Sequence, residues 1–169
     1  MPLPKRINLD NQVYFITTNT FKRKRVFKDD RNCKLFMGVL SYCQKRYKFK
    51  LYGYVVMPDH IHLLIQPDDN YTISAVIQKI KSIFAKEFKL KIKKRVAASL
   101  ARGGDSKTIA YAELIEYNHP IWQKSFYDHA IRNEQDFEEK LDYIHQNPIR
   151  VGLVKSADQY KWSSYKNYI

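Results

Sequence analysis

The stretch FKLYGYVVMPDHIHLLIQP, residues 49–67, decides the fold. Residues 49–57 and 60–67 are each rich in β-branched and aromatic side chains, and Pro58 and Asp59 between them suit a tight turn. Strands joined so closely run antiparallel. Side chains alternate along a strand, so Ile61, Leu63 and Ile65 share one face while His60, His62 and Leu64 share the other. Two of the chain's five histidines therefore stand at neighbouring positions on one face of a sheet.

Upstream of this hairpin, QVYFITTNT (12–20) predicts a first strand, followed by the basic run Lys22, Arg23, Lys24 and Arg25. DDRNCKLFMGVLSYCQKRY (29–47) predicts a helix whose start is marked by Asp29, Asp30 and Asn32. Downstream, TISAVIQKIKSIFAKEF (72–88) repeats Ile73, Val76, Ile77, Ile80 and Phe84 at helical spacing. IWQKSFYDHAI (121–131) reads as a fourth strand, and NEQDFEEKLDYIHQN (133–147) as a third helix that Pro148 is expected to stop. Residues 149–169 carry no assignable period. Strand, helix, strand, strand, helix, strand is the order of an α+β, ferredoxin-like (RRM-like) fold, an antiparallel sheet with helices on one face and the other face open. At 169 residues the expectation is a single domain, 1–169, with a flexible insert around 91–120. SLARGGDSKT (99–108) within that insert has the wrong Gly, Lys and Ser/Thr spacing for a phosphate-cradling loop.

Thirty Lys and Arg against 17 Asp and Glu give a net charge of +13, which favours a polyanionic partner, nucleic acid first. Lys79, Lys81, Lys86 and Lys89 on the second helix continue into KLKIKKR (89–95) as a long cationic track, either a solvated helix face or a phosphate-binding surface. No apolar run approaches the roughly 18 residues needed to span a bilayer, and MPLPKRINLDNQ has no apolar signal core. A cytoplasmic protein without a membrane partner is expected. Cys33 and Cys43 are ten residues apart on one helix, about 15 Å of axis and too far for a disulfide, so both are expected to be buried thiols.

Neutral imidazole is a common metal ligand, and a pair at i, i+2 on a strand sends two ring nitrogens toward one point. His60 and His62 are thus either a metal site or a pair of hydrogen-bonded core histidines. In the third helix Tyr143 and Asn147 are four residues apart and share a face. Tyr143 falls about 130° from the middle of the apolar stripe Phe137, Leu141 and Ile144, a poor position for a core residue.

His60-Ile61-His62 in a strand resembles the His-hydrophobe-His signature of HUH endonucleases, and YIHQNP (143–148) resembles the tyrosine helix of their single-tyrosine transposase branch. GYVVMPDHIHLLIQP (53–67), IWQKSFYDHAIRNEQDFEEKLDYIHQNPIRVGLV (121–154) and YKWSSY (160–165) look like the REP-associated tyrosine transposases, so the resemblance extends over nearly the whole chain. It implies that His60, His62 and Asn147 bind a divalent cation, Mg²⁺ or Mn²⁺, and that Tyr143 is the nucleophile. It implies a ferredoxin-like fold and a single-stranded DNA substrate, often beside a hairpin, handled by a monomer or homodimer. Two histidines favour transition metals over Mg²⁺, and Mn²⁺ is a reasonable compromise.

The residue types suit the chemistry. A cation on phosphate oxygens neutralises charge as the transition state forms, and attack by a phenol leaves a 5′-phosphotyrosine and a free 3′-hydroxyl. His129 is a candidate base or a structural histidine, and Tyr127 is a rival nucleophile without an Asn partner one turn on. Trp162 and Tyr165 either stack bases or seal a core. The alternative from another class is a noncatalytic single-stranded nucleic-acid-binding module of RRM-like fold, which would bind without cleaving. If the cationic residues Lys22, Arg23, Lys24, Arg25, Lys79, Lys81, Lys86 and Lys89 hold phosphates, raising salt from 50 to 200 mM weakens oligonucleotide binding roughly 10³-fold for about six contacts, measurable by fluorescence anisotropy. Salt-independent binding would contradict this.

Overall fold

In the computed structural model, which describes residues 11–103 and 119–168, four strands form one antiparallel sheet. They are β1 (Tyr14–Asn19), β2 (Lys50–Met57), β3 (His60–Gln66) and β4 (Tyr127–Ala130), ordered β2-β3-β1-β4. The described residues also contain the helices α1 (Asp30–Tyr47), α2 (Ile73–Leu100) and α3 (Glu134–Arg150). This is the ferredoxin-like arrangement expected from the element order.

The hairpin sets the two faces. Ile61, Leu63 and Ile65 join Tyr14, Ile16 and Val56 in the main core, under Phe36 and Leu40 of α1 and Ile77, Phe84 and Phe88 of α2. The Asp29 carboxylate accepts the Arg31 amide at 2.9 Å to cap α1, and Thr72 Oγ1 accepts the Ala75 amide at 3.1 Å to cap α2. Cys33 and Cys43 are buried free thiols in this core, where burial pushes them up to about 12 and about 11 and leaves both protonated.

The opposite face is only partly open, because α3 lies across it. Ile144 packs with Phe15, Val55, Met57 and Leu64, flanked by Phe137 and Leu141. The approach is closest at Gly53, beside an irregularity in the β2–β3 register, where a Cβ would stand 2.7 Å from Leu141 Cδ1. A sequence pattern does not say which face a third helix takes; here the missing side chain at Gly53 admits it.

Several boundaries differ from the sequence reading. α2 runs to Leu100, so the first part of the stretch expected to be a flexible insert is helical, carried by Phe88 and Ile92 continuing the buried stripe; residues 104–118 lie outside the described residues. α3 passes through Pro148 to Arg150. Proline there removes one backbone donor in the last turn, which Val151 N to Asn147 O (3.2 Å) and Leu153 N to Pro148 O (2.9 Å) still close. β4 keeps only the second half of its predicted strand, since residues 121–126 are held instead by the buried Trp122, whose Nε1 donates to Lys81 O at 3.1 Å.

The tail also acquires a place. Val56 N donates to Trp162 O at 2.8 Å and Ser164 N to Tyr54 O at 2.9 Å, so residues 162–164 run along the outer edge of β2. Trp162 Nε1 donates to Asp30 Oδ1 at 2.9 Å, and Tyr165 meets the buried His145 ring edge-on. Both tail aromatics therefore seal joints. Among the described residues no helix is long and apolar enough to cross a membrane.

Gly53→Val should destabilise the protein by roughly 1–3 kcal/mol in urea titrations, and Leu141→Ala added to it should restore part of the loss. An unchanged midpoint for Gly53→Val would mean that α3 does not depend on this close approach.

Candidate functional site

Strand alternation places His60 and His62 on the α3 side of the sheet, with ring centroids 4.8 Å apart. In the β1–β3 register Thr17 is directly opposite His62, and its Oγ1 lies 2.8 Å from His62 Nδ1. Asp59 Oδ1 lies 2.6 Å from His60 Nδ1, while Asp59 Oδ2 pairs with Arg23 Nε at 3.0 Å. A carboxylate only accepts, so His60 carries its proton on Nδ1 and turns an Nε2 lone pair outward. His62 Nε2 stands 3.3 Å from Asn147 Nδ2, a donor, so it too presents a lone pair, with Nδ1–H donating to Thr17. Both imidazoles are thereby fixed in the tautomer that a metal ligand requires.

Burial keeps them neutral. His62 is 3 % exposed, and burial, helped by the repulsion that a proton on His60 would exert and by the Arg23 charge, pulls it down to about 3. Burial also lowers His60, outweighing the attraction of Asp59.

Tyr143 arrives from α3. Its ring sits edge-to-face against His62 (5.4 Å between centroids) and Phe15 (5.7 Å), and the Arg150 guanidinium lies 5.0 Å from its centroid. One turn on, Asn147 is buried, and its Oδ1 has no hydrogen-bond partner among the described residues. A buried orphan acceptor costs about 1–3 kcal/mol, and here it belongs to the amide whose Nδ2 faces His62. No cluster of three His, Cys, Asp or Glu among the described residues could hold a metal ion. With the Asn147 amide turned so that Oδ1 takes the place its Nδ2 holds beside His62, the donor set His60 Nε2, His62 Nε2 and Asn147 Oδ1 suits a divalent cation with mixed nitrogen and oxygen preference such as Mn²⁺. All of these groups, with Tyr143, come together within one chain.

The cationic residues divide between two locations. The run Lys22 to Arg25 follows β1 at the His60 end, tied there by Thr20, whose amide donates to Asp59 O at 3.0 Å and whose Oγ1 lies 2.6 Å from Lys24 O. Lys22 and Arg23 both take positive φ, a strained turn that brings Arg23 to Asp59. Lys79, Lys81, Lys86 and Lys89 lie on α2, across the sheet from the histidines, and Lys81 Nζ donates to Gln123 O at 2.7 Å. His129 is engaged with Asp136, its Nε2 2.8 Å from Oδ2, which ties β4 to the first turn of α3. Tyr127 faces the site side of β4, and its ring meets Phe15.

Thr17, Asp59 and Arg150 belong to the site although the sequence reading did not single them out for it. Asp59 had a signal, since it directly precedes His60; Thr17 had none short of the strand register.

The family model described as "Transposase IS200 like" matches residues 8–105. A Haemophilus influenzae protein assigned to the REP-associated tyrosine transposases is 29 % identical over 156 residues, 90 % of this chain and 79 % of its own length. The REP-associated tyrosine transposase of Escherichia coli K12 is 24 % identical over 162 residues, 95 % of this chain and 81 % of its own. A solved REP-associated tyrosine transposase bound to a REP hairpin superposes with a TM-score of 0.71 at 22 % identity, covering 99 % of this chain and 84 % of that one.

Asn147→Leu removes the orphan acceptor at similar volume together with the long 3.3 Å contact to His62, and should change stability by no more than about 1 kcal/mol in thermal melts. A fall of several kcal/mol would mean that the amide is a structural hydrogen-bonding group.

Proposed function

The chain belongs to the family of IS200-like transposases, and on that premise we propose that it cleaves and rejoins single-stranded DNA beside a hairpin through a 5′-phosphotyrosine, in DNA transposition or in processing of repeats. The observation that carries the reading is the Tyr143 ring packed on His62, one helical turn from the orphan Oδ1 of Asn147.

His60 Nε2, His62 Nε2 and Asn147 Oδ1 would hold Mg²⁺ or Mn²⁺. When bound, the cation draws charge from the phosphate oxygens as the transition state develops. The other roles fall to the chain's own groups. Thr17 and Asp59 keep the ligating nitrogens aimed. Phe15 and His62 brace the Tyr143 ring, so little rotational freedom is lost on reaction. The Tyr143 phenol gives up its proton as its oxygen attacks phosphorus, the P–O3′ bond breaks, and the departing 3′-oxygen takes up a proton in exchange. Arg150, over the phenol ring, supplies positive charge beside the new ester. Because the phosphotyrosine keeps the ester, a second 3′-hydroxyl can reverse the step and join strands without ATP. Lys22, Arg23, Lys24 and Arg25 would hold backbone phosphates at the histidine end, with the α2 lysines as a second track across the sheet. Residues 1–169 would act as one catalytic domain, in a monomer or homodimer. A relative bound to a REP hairpin supports hairpin-bearing DNA as the partner.

Incubated with labelled single-stranded oligonucleotides flanking its gene, the protein should form a denaturation-resistant adduct in Mn²⁺ and none in EDTA. Tyr143→Phe should bind the same oligonucleotides but form no adduct, and His60→Ala should lose the metal-dependent step. An undiminished adduct with Tyr143→Phe would sink the assignment, and binding without any adduct would favour a noncatalytic module. Thr17→Val should lower Mn²⁺ affinity about 10- to 100-fold by calorimetry. An affinity equal to the parent's would remove the threonine from any role in aiming His62.

A further inference from the structure

We infer that Tyr127 is a stacking platform for the nucleobase next to the scissile phosphate, an inference that rests on the single-strand DNA reading above. In the β1–β4 register Tyr127 stands directly opposite Thr17, and in the β1–β3 register Thr17 stands directly opposite His62. Directly paired residues share a face, so Tyr127, Thr17 and His62 form one row across three strands, and neighbouring strands are about 4.8 Å apart. The ring is therefore roughly 10 Å from the candidate ligand, about where the base lies when its phosphate is at the histidines.

Tyr127 is 58 % exposed, the most open of the large apolar side chains described. Its T-shaped contact with Phe15, 6.5 Å between centroids, fixes the ring from beneath and leaves most of its surface in water. Phe15 also stacks on His62 at 5.3 Å, so one aromatic residue supports both the imidazole and the platform. A strand tyrosine held in this way loses little freedom when a base lies on it. The surroundings of the row fit the same ligand. The cations Lys22 to Arg25 follow the end of β1 that pairs with both His60 and Tyr127, so phosphate contacts and an aromatic surface lie at the same end of the sheet.

This assigns Tyr127 a role distinct from nucleophilic attack, for which its ring lacks the histidine contact that Tyr143 makes. It also explains why the hydroxyl should be dispensable and the ring not.

The test uses binding of a fluorescein-labelled hairpin with a single-stranded extension, and of matched oligonucleotides with an abasic site at each position of the extension, measured in the Tyr143→Phe protein so that cleavage plays no part. Tyr127→Ala should weaken binding of the intact oligonucleotide roughly tenfold, within the range that stacking contributes per base. One abasic position should weaken the Tyr143→Phe protein equally and leave the Tyr127→Ala protein unaffected, while Tyr127→Phe and Tyr127→Trp keep full affinity. Thermal melts should coincide, because the side chain is exposed. Equal affinity of Tyr127→Ala and its parent, loss with Tyr127→Phe, or additive effects of abasic site and alanine would each overturn the platform. The transesterase reading is judged separately by metal-dependent adduct formation in the unsubstituted protein, whose outcome does not depend on whether Tyr127 stacks a base. An adduct that survives Tyr143→Phe and disappears only with Tyr127→Phe would overturn both the platform and Tyr143 as nucleophile.

Discussion

Everything at the site depends on α3 lying flat against a sheet it is not hydrogen-bonded into. Tyr143 and Asn147 are some 80 residues from the histidines in sequence, and apolar contact does most of the work of bringing them together: Ile144 on Phe15, Val55, Met57 and Leu64, with Leu141 over the bare backbone of Gly53. Burying a side chain such as Ile144 stabilises by about 1.5–3 kcal/mol. One polar tie orients the helix at its start, where Asp136 meets His129, and a second pins His145 to Ser164 at 2.9 Å in the tail. The helix is thus fixed along its length before Tyr143 has any partner to meet.

Against that well-packed background the site breaks the ordinary rules of a protein interior. Two imidazoles present lone pairs, an amide oxygen is left without a donor, and two successive residues of a basic loop hold left-handed backbone. The orphan amide oxygen and the left-handed backbone each cost the fold stability, and both lie at the same end of the same face. Local conflicts gathered in this way mark a place where selection acted on something other than folding.

The fold was legible because its decisive signals are local. The period-two pattern of Ile61, Leu63 and Ile65 against His60 and His62 fixes the faces of β3, and the Pro58-Asp59 turn fixes the hairpin. Tyr143 and Asn147 were legible as an i, i+4 pair off the apolar stripe. What remained hidden depends on long-range registry. Thr17 reaches His62 only because β1 and β3 pair in one register across 45 residues. Arg150 lay beyond a proline expected to end the helix, whereas the helix forgoes the Pro148 donor and still closes its last turn through Val151 N to Asn147 O. The tail showed no period because its order comes from β2: its backbone follows the edge of another strand, and Trp162 finds its acceptor in α1.

The docking of residues 162–164 along β2 also limits how the molecule can assemble. With that side of the sheet occupied, β4 is the one flank of the four-stranded sheet that the described residues leave available for strand addition. A sheet with two open flanks can add copies head to tail without end; a sheet with one can at most meet its own mirror position on a second molecule and close, as a two-fold pair. The tail therefore blocks strand addition on the β2 side, where Tyr54 and Val56 already pair with it.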